Sequence, residues 1–404
     1  MTNHPFIPII IGTDINAYNM AISFHEEYGI HPILVGKEPL SFTSLSTIPG
    51  AIELNPKLGE KDVFPRFLKE VAKKYKMKDK KLLLVGTNDL YVRLIIENRE
   101  ELKDDFVFSY IDEELMNNLL LKKNFYALCA EHGIDAPATY FHSCATDAKF
   151  MDEVMFPVII KPSNGVQYYK NPFEGMQKVY KVNSYDEIQQ VITTIKNSGY
   201  EDDLIIQDFI PGDDTYMWDS VFYVNSKGNT ELITFGQVVL QEHTVTAIGN
   251  YTAVITRYNE EMMLKLKGFL EALHYVGYAN FDLKYDHRDG KFKVFEVNIR
   301  QGRSSYYITS CGHNLAKNFV DDLIYDTEKP LTLLKEDFLF TVVPKTVLKK
   351  FVSNKQVNKD VRKLLKAGKY ANPLFYKKDR SFKRKLYLFL RQVNYYKKYK
   401  NSNW

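Results

Sequence analysis

Asp282, Glu296 and Asn298 carry hard oxygen donors at a spacing that suits a cation. Two strands are predicted around them, Ala279 to Tyr285 and Lys291 to Val297, joined by the turn Asp286-His287-Arg288-Asp289-Gly290. Glu296 and Asn298 stand two residues apart, and the two-residue period of a strand puts both on one sheet face. A hairpin that brings Asp282 alongside collects three oxygen ligands in one cavity. Magnesium, with manganese as the alternative, takes such ligands and keeps positions open for phosphate oxygens. Taken alone, the same residues read more readily as polar side chains on a solvated hairpin.

Other segments then fall in a telling order. Lys122 lies eleven residues before Gly133. Phe156-Pro157-Val158-Ile159-Ile160-Lys161-Pro162 reads as a strand ending in a lysine, and Ser163-Asn164-Gly165 opens a loop that runs on through Tyr168, Tyr169 and Pro172. Ile206-Gln207-Asp208-Phe209-Ile210-Pro211-Gly212-Asp213-Asp214 follows, and Glu296-Val297-Asn298-Ile299-Arg300 closes the series. In this order the segments resemble the ATP-grasp enzymes, over roughly Lys122 to Ser305. The resemblance implies that Lys122 (or neighbouring Lys123) and Lys161 meet the phosphates of ATP. It implies further that Gln207, Asp208 and Ile210 surround the adenine and that Asp214, with Asp213 as the alternative, holds the ribose. Asp282, Glu296 and Asn298 become the magnesium ligands. Arg300 stabilises the reacting phosphoryl and acyl groups, while Arg303 and Ser304 orient a substrate carboxylate. Arg257 is a second substrate-binding candidate against the commoner role of a surface arginine. The loop after Lys161 lacks the dense glycine and serine of many relatives.

Within that superfamily the whole chain looks most like the D-aspartate ligases of Gram-positive bacteria. Gly12-Thr13-Asp14-Ile15-Asn16-Ala17-Tyr18, the Phe209 to Asp214 segment and Ala247-Ile248-Gly249-Asn250-Tyr251 carry that likeness. It implies activation of the side-chain carboxylate of D-aspartate and its transfer to the lysine amine of a UDP-linked muramyl pentapeptide (UDP-MurNAc-pentapeptide). It also implies a cytoplasmic protein working at the inner face of the membrane. Two rival expectations stand beside it: an ATP-grasp ligase for another amino acid or peptide, and a non-catalytic nucleotide-binding scaffold.

The elements that must position these residues give an α/β and α+β chain. Apolar runs at Phe6 to Ile11, Ile33 to Val35 and Lys81 to Val85 alternate with helical patterns, the signature of a Rossmann-like parallel unit. Ligands in such sheets sit beyond the carboxyl ends of strands, near helix N-termini, although Gly12 and Gly86 could simply make tight turns. One helix is predicted from Asp112 to about His132, stopped by Gly133. Strands follow at Phe156 to Lys161, Lys178 to Val182, Leu204 to Phe209, Trp218 to Val224 and Glu231 to Val239, with a helix around Glu260 to Leu273. The expected division is a Rossmann-like domain over 1–115 and a two-lobed ATP-grasp core over 116–203 and 204–330. A basic aromatic C-terminal extension occupies 331–404.

With 404 residues, 45% hydrophobic and 26% charged, the chain has the balance of a globular protein with a sizeable core. No apolar run reaches the length of a membrane span, and Met1 to Pro8 does not read as a secretory signal. Three widely spaced cysteines suggest neither a zinc cluster nor a disulfide framework. Net charge is +4 but uneven. Leu331 to Trp404 holds 20 Lys and Arg against 4 Asp and Glu, which leaves the preceding 330 residues at −12. Basic residues interleaved with aromatics suit an anionic membrane surface better than nucleic acid here, or a helical extension packed on the acidic body.

Overall fold

The computed structural model of the protein describes residues 4–146, 148–243 and 249–401. Ala247 and Ile248 of the mid-chain motif lie outside the described residues, as does Trp404. Two compact units emerge. Met1–Asn117, Asp213–Asp282 and Val297–Trp404 build the first, Asn118–Gly212 and Leu283–Glu296 the second. Three separate lengths of chain therefore make the first unit, where the sequence suggested consecutive domains.

In the first unit β1 (Phe6–Ile11), β2 (Ile33–Gly36), β3 (Ala51–Leu54), β4 (Lys81–Gly86) and β5 (Phe106–Val107) form a parallel sheet. Its order is β3-β2-β1-β4-β5, with Ile10 opposite Leu34 on one side and Val85 on the other. The strands are nearly all apolar because helices must cover them. α1 (Ile15–Tyr28) contributes Tyr18, Ala21, Ile22 and Phe24 to one core with Phe6, Ile10, Leu34, Leu83 and Val85. α2 (Phe64–Tyr75) and α3 (Asp89–Glu97) are further helices of this region. Asp14 caps α1 by accepting from the Ala17 amide, and Asn88 caps α3 by accepting from the Tyr91 amide. Both capped ends follow the carboxyl ends of their strands. Gly12 adopts φ +138°, and a Cβ there would lie 2.1 Å from Thr87 Oγ1. The glycine is thus needed to let the two turns approach.

The single helix expected between Asp112 and His132 is interrupted. Leu121 is extended (φ −79°, ψ 109°), and the chain resumes as α4 (Lys122–Glu131), so Lys122 opens a helix in the second unit. There β6 (Thr139–Ser143), β7 (Val158–Pro162), β8 (Tyr180–Val182) and β9 (Asp203–Asp208) pair antiparallel in the order β6-β9-β7-β8. The stretch after Lys161, expected as an open loop, contains the short helix α5 (Gly165–Lys170). Its cause is Tyr168, which is buried and donates from its hydroxyl to the Gln177 carbonyl. α6 (Tyr185–Asn197), capped by Ser184, packs Ile188 and Ile195 against Ile160, Tyr168, Tyr200 and Ile206.

A nine-stranded sheet, in the first unit except for residues 283–286 and 291–296, has the order β15-β14-β10-β12-β13-β17-β18, with β11 beside β10 and β16 beside β11. Its strands are β10 (Met217–Val224), β11 (Thr230–Ile233), β12 (Phe235–Gln241), β13 (Tyr251–Arg257), β14 (Gly277–Asp286), β15 (Lys291–Asn298), β16 (Thr332–Leu333), β17 (Leu339–Thr341) and β18 (Tyr370–Ala371). The run Glu231 to Val239, expected as one strand, breaks at Thr234, whose amide donates to the Val221 carbonyl. β14 and β15 each pass through the division between units along the chain. The longer helices of the later chain are α7 (Glu260–Ala272), α8 (Leu315–Leu323), α9 (Lys345–Phe351), α10 (Lys355–Ala367) and α11 (Phe382–Asn401).

The basic segment shares the core of this unit. β17 pairs antiparallel with β13, placing Phe340 opposite Val254. Val347, Leu348, Val361, Leu388 and Tyr395 join the cluster that holds Tyr18 and Val254. Among the described residues no helix is long and apolar enough to cross a membrane.

Candidate active site

The second unit brings together four of the residues expected to meet nucleotide or metal. Lys122 Nζ, at the start of α4, donates to Glu296 Oε2 (2.6 Å) and to the Phe295 carbonyl (3.1 Å). On β7, Lys161 Nζ donates to Gln207 Oε1 (3.3 Å) on the paired strand β9. Gln207 in turn donates from its amide nitrogen to Thr139 Oγ1 (2.7 Å) and to the Tyr126 hydroxyl (2.9 Å). Tyr126 fixes that hydroxyl on the Phe295 carbonyl (3.1 Å). Gln207 is wholly buried, so its orientation is set by these bonds. Burial, with the Lys122 charge nearby, pushes the Lys161 ammonium down to about 8, and Glu296 only partly offsets this. Two lysines held close around one carboxylate favour an added anion, which would relieve both their repulsion and the burial of charge.

The remaining predicted residues of this unit are differently engaged. Asp208, at the end of β9, forms an ion pair with Arg288 (2.5 Å), which also binds Asp286. Ile210 is buried. Between them lies Phe209, with the Lys181 ammonium 4.0 Å from its ring centre.

The first unit holds the rest. Asn298 donates from its amide nitrogen to Asp282 Oδ2 (3.2 Å) and to the Asn280 carbonyl (3.3 Å), so these two expected ligands are neighbours on paired strands. Glu296 precedes Asn298 by one pleat of β15. A carboxylate beside a side-chain amide is an all-oxygen donor set once the amide turns its oxygen inward, which fits a hard divalent cation. Asp214 accepts from the Gln241 backbone amide (3.0 Å), the Gln241 side chain (2.8 Å) and His243 (2.7 Å). Its alternative, Asp213, caps the turn at Thr215 and binds the Ser353 hydroxyl. Arg257 pairs with Asp337 and Asp360, the bonding of a structural arginine.

Arg300 reaches back to the parallel sheet. Its guanidinium donates to Asp89 Oδ2 (2.8 Å), to Asn298 Oδ1 (3.3 Å) and to the Gln301 carbonyl (3.1 Å). Arg303 sits on a tight loop: the Gly302 amide donates to Ser305 Oγ (2.7 Å), and Asn19 donates to the Arg303 carbonyl (2.9 Å). Ser304 turns inward and donates to Asp219 Oδ2 (3.2 Å). Asp219 is completely buried on β10, and that burial pushes its carboxyl up to about 7.

These pieces enclose a cavity of about 230 Å³ within the first unit, lined by Asp14, Asn16, Thr87, Asn88, Arg300 and Arg303 together with Phe42 and Asn250. Both arginines have an Nε without a hydrogen-bond partner among the described residues. Burial raises the Asp14 carboxyl, against the opposing pull of the Ala17 amide and the two guanidiniums. Asn16 donates to the Thr87 and Gln301 carbonyls (2.7 and 3.2 Å), tying the two glycine turns to the arginine loop. The result is a small polar chamber with two fixed cations, one carboxyl and two helix N-termini, suited to a charged amino acid. Sequence reasoning marked both turns as ligand territory but did not select Asp14, Asn16, Thr87 or Asn88. Asp219 was missed as well; its signal was an acid inside an otherwise apolar-rich strand.

Solved structures with this architecture include the L-amino acid ligase from Bacillus licheniformis. It has a TM-score of 0.56 at 16% identity, covering 79% of this chain and 74% of that one. Another is the biotin carboxylase domain of 2-oxoglutarate carboxylase from Hydrogenobacter thermophilus, solved with MgADP. Its TM-score is 0.58 at 11% identity, covering 80% of this chain and 70% of that one. The fold is therefore that of the ATP-grasp ligases. The chain matches no family profile. It is, however, 35% identical to the D-aspartate ligase of Enterococcus faecium (strain Aus0004) over 98% of its own length and 97% of that protein. At that identity and coverage the chain belongs to the D-aspartate ligase family: it is an ATP-dependent, ADP-forming enzyme that joins a carboxylate to an amine.

Proposed function

We propose that this ligase activates the side-chain carboxylate of D-aspartate and attaches it to the lysine amine of a UDP-linked muramyl pentapeptide, with the basic 331–404 segment in peripheral contact with an anionic membrane. The observation that carries the substrate class is the first unit's cavity, where Arg300 and Arg303 face Asp14. A dicarboxylic amino acid presents two anions and one cation, the complement of that lining.

In this reading Lys122 and Lys161 neutralise the ATP phosphates. Gln207, Asp208 and Ile210 border the adenine and Asp214 the ribose. Asp282, Glu296 and Asn298 hold Mg2+, which when bound screens the charge of the triphosphate and polarises its terminal phosphorus. Arg303 fixes the substrate's remaining carboxylate with its planar fork, and Asp14 takes the ammonium. The free side-chain carboxylate oxygen then attacks the γ-phosphorus. The bond to the bridging oxygen breaks, ADP leaves, and an acyl phosphate remains. Next the acceptor amine attacks the acyl carbon, the C–O bond to phosphate breaks, and the amine loses one proton. Arg300 stabilises the oxygen charge that grows at the tetrahedral stage.

The test is ADP release with Mg-ATP and UDP-MurNAc-pentapeptide, comparing D-aspartate with L-aspartate, D-glutamate and other amino acids. Selective stimulation by D-aspartate is expected. In the Arg303→Met variant the KM for D-aspartate should rise about tenfold or more, while the KM for ATP holds. Stimulation by a different amino acid would move the substrate, and none by any would leave a binding scaffold.

A further inference from the structure

α11 is a helix with two unlike faces. Arg384, Leu388, Tyr395 and Tyr399 are buried, and they recur at the spacing of one helical side. Their bonds are specific. The Arg384 guanidinium pairs with Asp379 (3.0 Å), donates to the Phe42 carbonyl (2.6 Å) and lies 3.9 Å over the ring of Tyr18. The Tyr395 hydroxyl donates to Glu242 (2.9 Å), and Tyr399 donates to the Gln241 carbonyl (2.6 Å). Gln392 adds a bond to the Val342 carbonyl (2.9 Å). These contacts lock the rotation of the helix about its axis.

The opposite side is apolar and bare. Phe382, Leu386, Phe389, Leu390 and Val393 are 79%, 54%, 63%, 60% and 45% exposed. Their spacing of four, three, one and three residues makes a single stripe, ~16 Å long at 1.5 Å per residue. A globular helix normally turns such a stripe to the core. Here polar anchors hold the other face inward, so the stripe cannot be buried by rolling the helix. Lys383, Lys385, Lys397 and Lys400 are exposed on the same helix, and α11 contains no Asp or Glu. Aromatic and aliphatic side chains bordered by lysines match the boundary between acyl chains and anionic headgroups.

We infer that the outward face of α11 is the surface by which this protein lies on an anionic lipid bilayer, Phe389 and Leu390 entering the acyl boundary while the flanking lysines meet phosphate headgroups. This deepens the membrane part of the proposed function and is independent of the ligase assignment. A partner protein would have to present an apolar groove with acidic edges at both ends, whereas an anionic bilayer offers an apolar interior beneath negative headgroups.

The experiment is co-sedimentation of the full chain with phosphatidylglycerol/phosphatidylcholine vesicles and with phosphatidylcholine vesicles. The protein should pellet with the anionic vesicles and about tenfold less with the zwitterionic ones. Phe389→Ser with Leu390→Ser should cut pelleting about tenfold, and Lys383→Gln with Lys385→Gln should weaken it and flatten its salt dependence. Both variants should retain ADP release in vesicle-free solution, which separates lost contact from lost fold and from failure of the ligase reading. Pelleting that is absent, or unchanged in the Phe389→Ser, Leu390→Ser variant, overturns the inference. So does a concentration-dependent dimer abolished by those substitutions without vesicle binding, which would make a second copy the occupant.

Discussion

The lysines of the second unit and the arginines of the first are both clusters of cations, yet they are built to opposite ends. Lys122 and Lys161 share one nearby carboxylate, and Lys161 is held close to losing its proton. The arginines offer planar guanidinium forks; Arg300 is braced by Asp89 and Asn298, and Arg303 by its loop. A compact, titratable ammonium suits a phosphate that arrives and leaves with each turnover. A rigid fork suits a carboxylate that must be aimed. In the proposed mechanism the contrast separates the handling of ATP from the handling of the amino acid.

The strongest way to break that contrast is to cross it. Arg300→Met should lower kcat about a hundred- to a thousand-fold with little change in the KM for ATP. Lys161→Met should instead raise the KM for ATP about tenfold or more and leave the amino-acid KM alone. Steady-state kinetics with each substrate varied in turn reads both. If the two variants gave the same pattern, the division of labour would be wrong.

A pH series sharpens the same point with a smaller effect. Lys161 in the free protein loses its charge above about 8, so ATP binding must take up a proton there. The dissociation constant for a non-hydrolysable ATP analogue should rise by up to ~tenfold per pH unit above 8. Lys161→Arg should flatten that rise, because guanidinium does not titrate in this range. Isothermal calorimetry in buffers of different ionisation enthalpy would detect the proton directly.

The smallest effect concerns the support beneath Arg303. Asp219 keeps its proton to about 7 in the folded chain, whereas the unfolded chain releases it near ~4. Its folded pKa is raised, so the stability it contributes falls as pH climbs from ~4 through 7 and is level above. Asp219→Asn has no such loss. The melting temperature of the variant relative to the native protein should rise by a few degrees across that window and then flatten. A constant difference would show that the carboxyl is already ionised in the fold.

Much of this was legible in the residues, for physical reasons that also explain the gaps. β1, β2 and β4 announce themselves because buried parallel strands are continuous apolar runs; β3 is four partly exposed residues and β5 only two. Glu296 and Asn298 share a face by strand period alone. The chamber at Asp14, Asn88 and Arg303 could not be read that way, since it joins residues more than two hundred positions apart through a fold no local pattern encodes. The C-terminal segment misleads for a related reason. Its lysine content conceals β17 and β18, strands of three and two residues that form by adding to an existing edge, β17 on β13 and β18 on β17. Tyr168 turned an expected loop into a helix because one buried ring outweighed the loop-like composition around it.

The central claim is that the amino acid's own side-chain carboxylate becomes an acyl phosphate before the amide forms. The direct measurement is turnover with D-aspartate carrying heavy oxygen in that carboxylate, Mg-ATP and UDP-MurNAc-pentapeptide, followed by mass spectrometry of phosphate and product. One labelled oxygen per turnover should appear in inorganic phosphate, and the product should gain one aspartyl residue. Product formed with unlabelled phosphate would contradict the account.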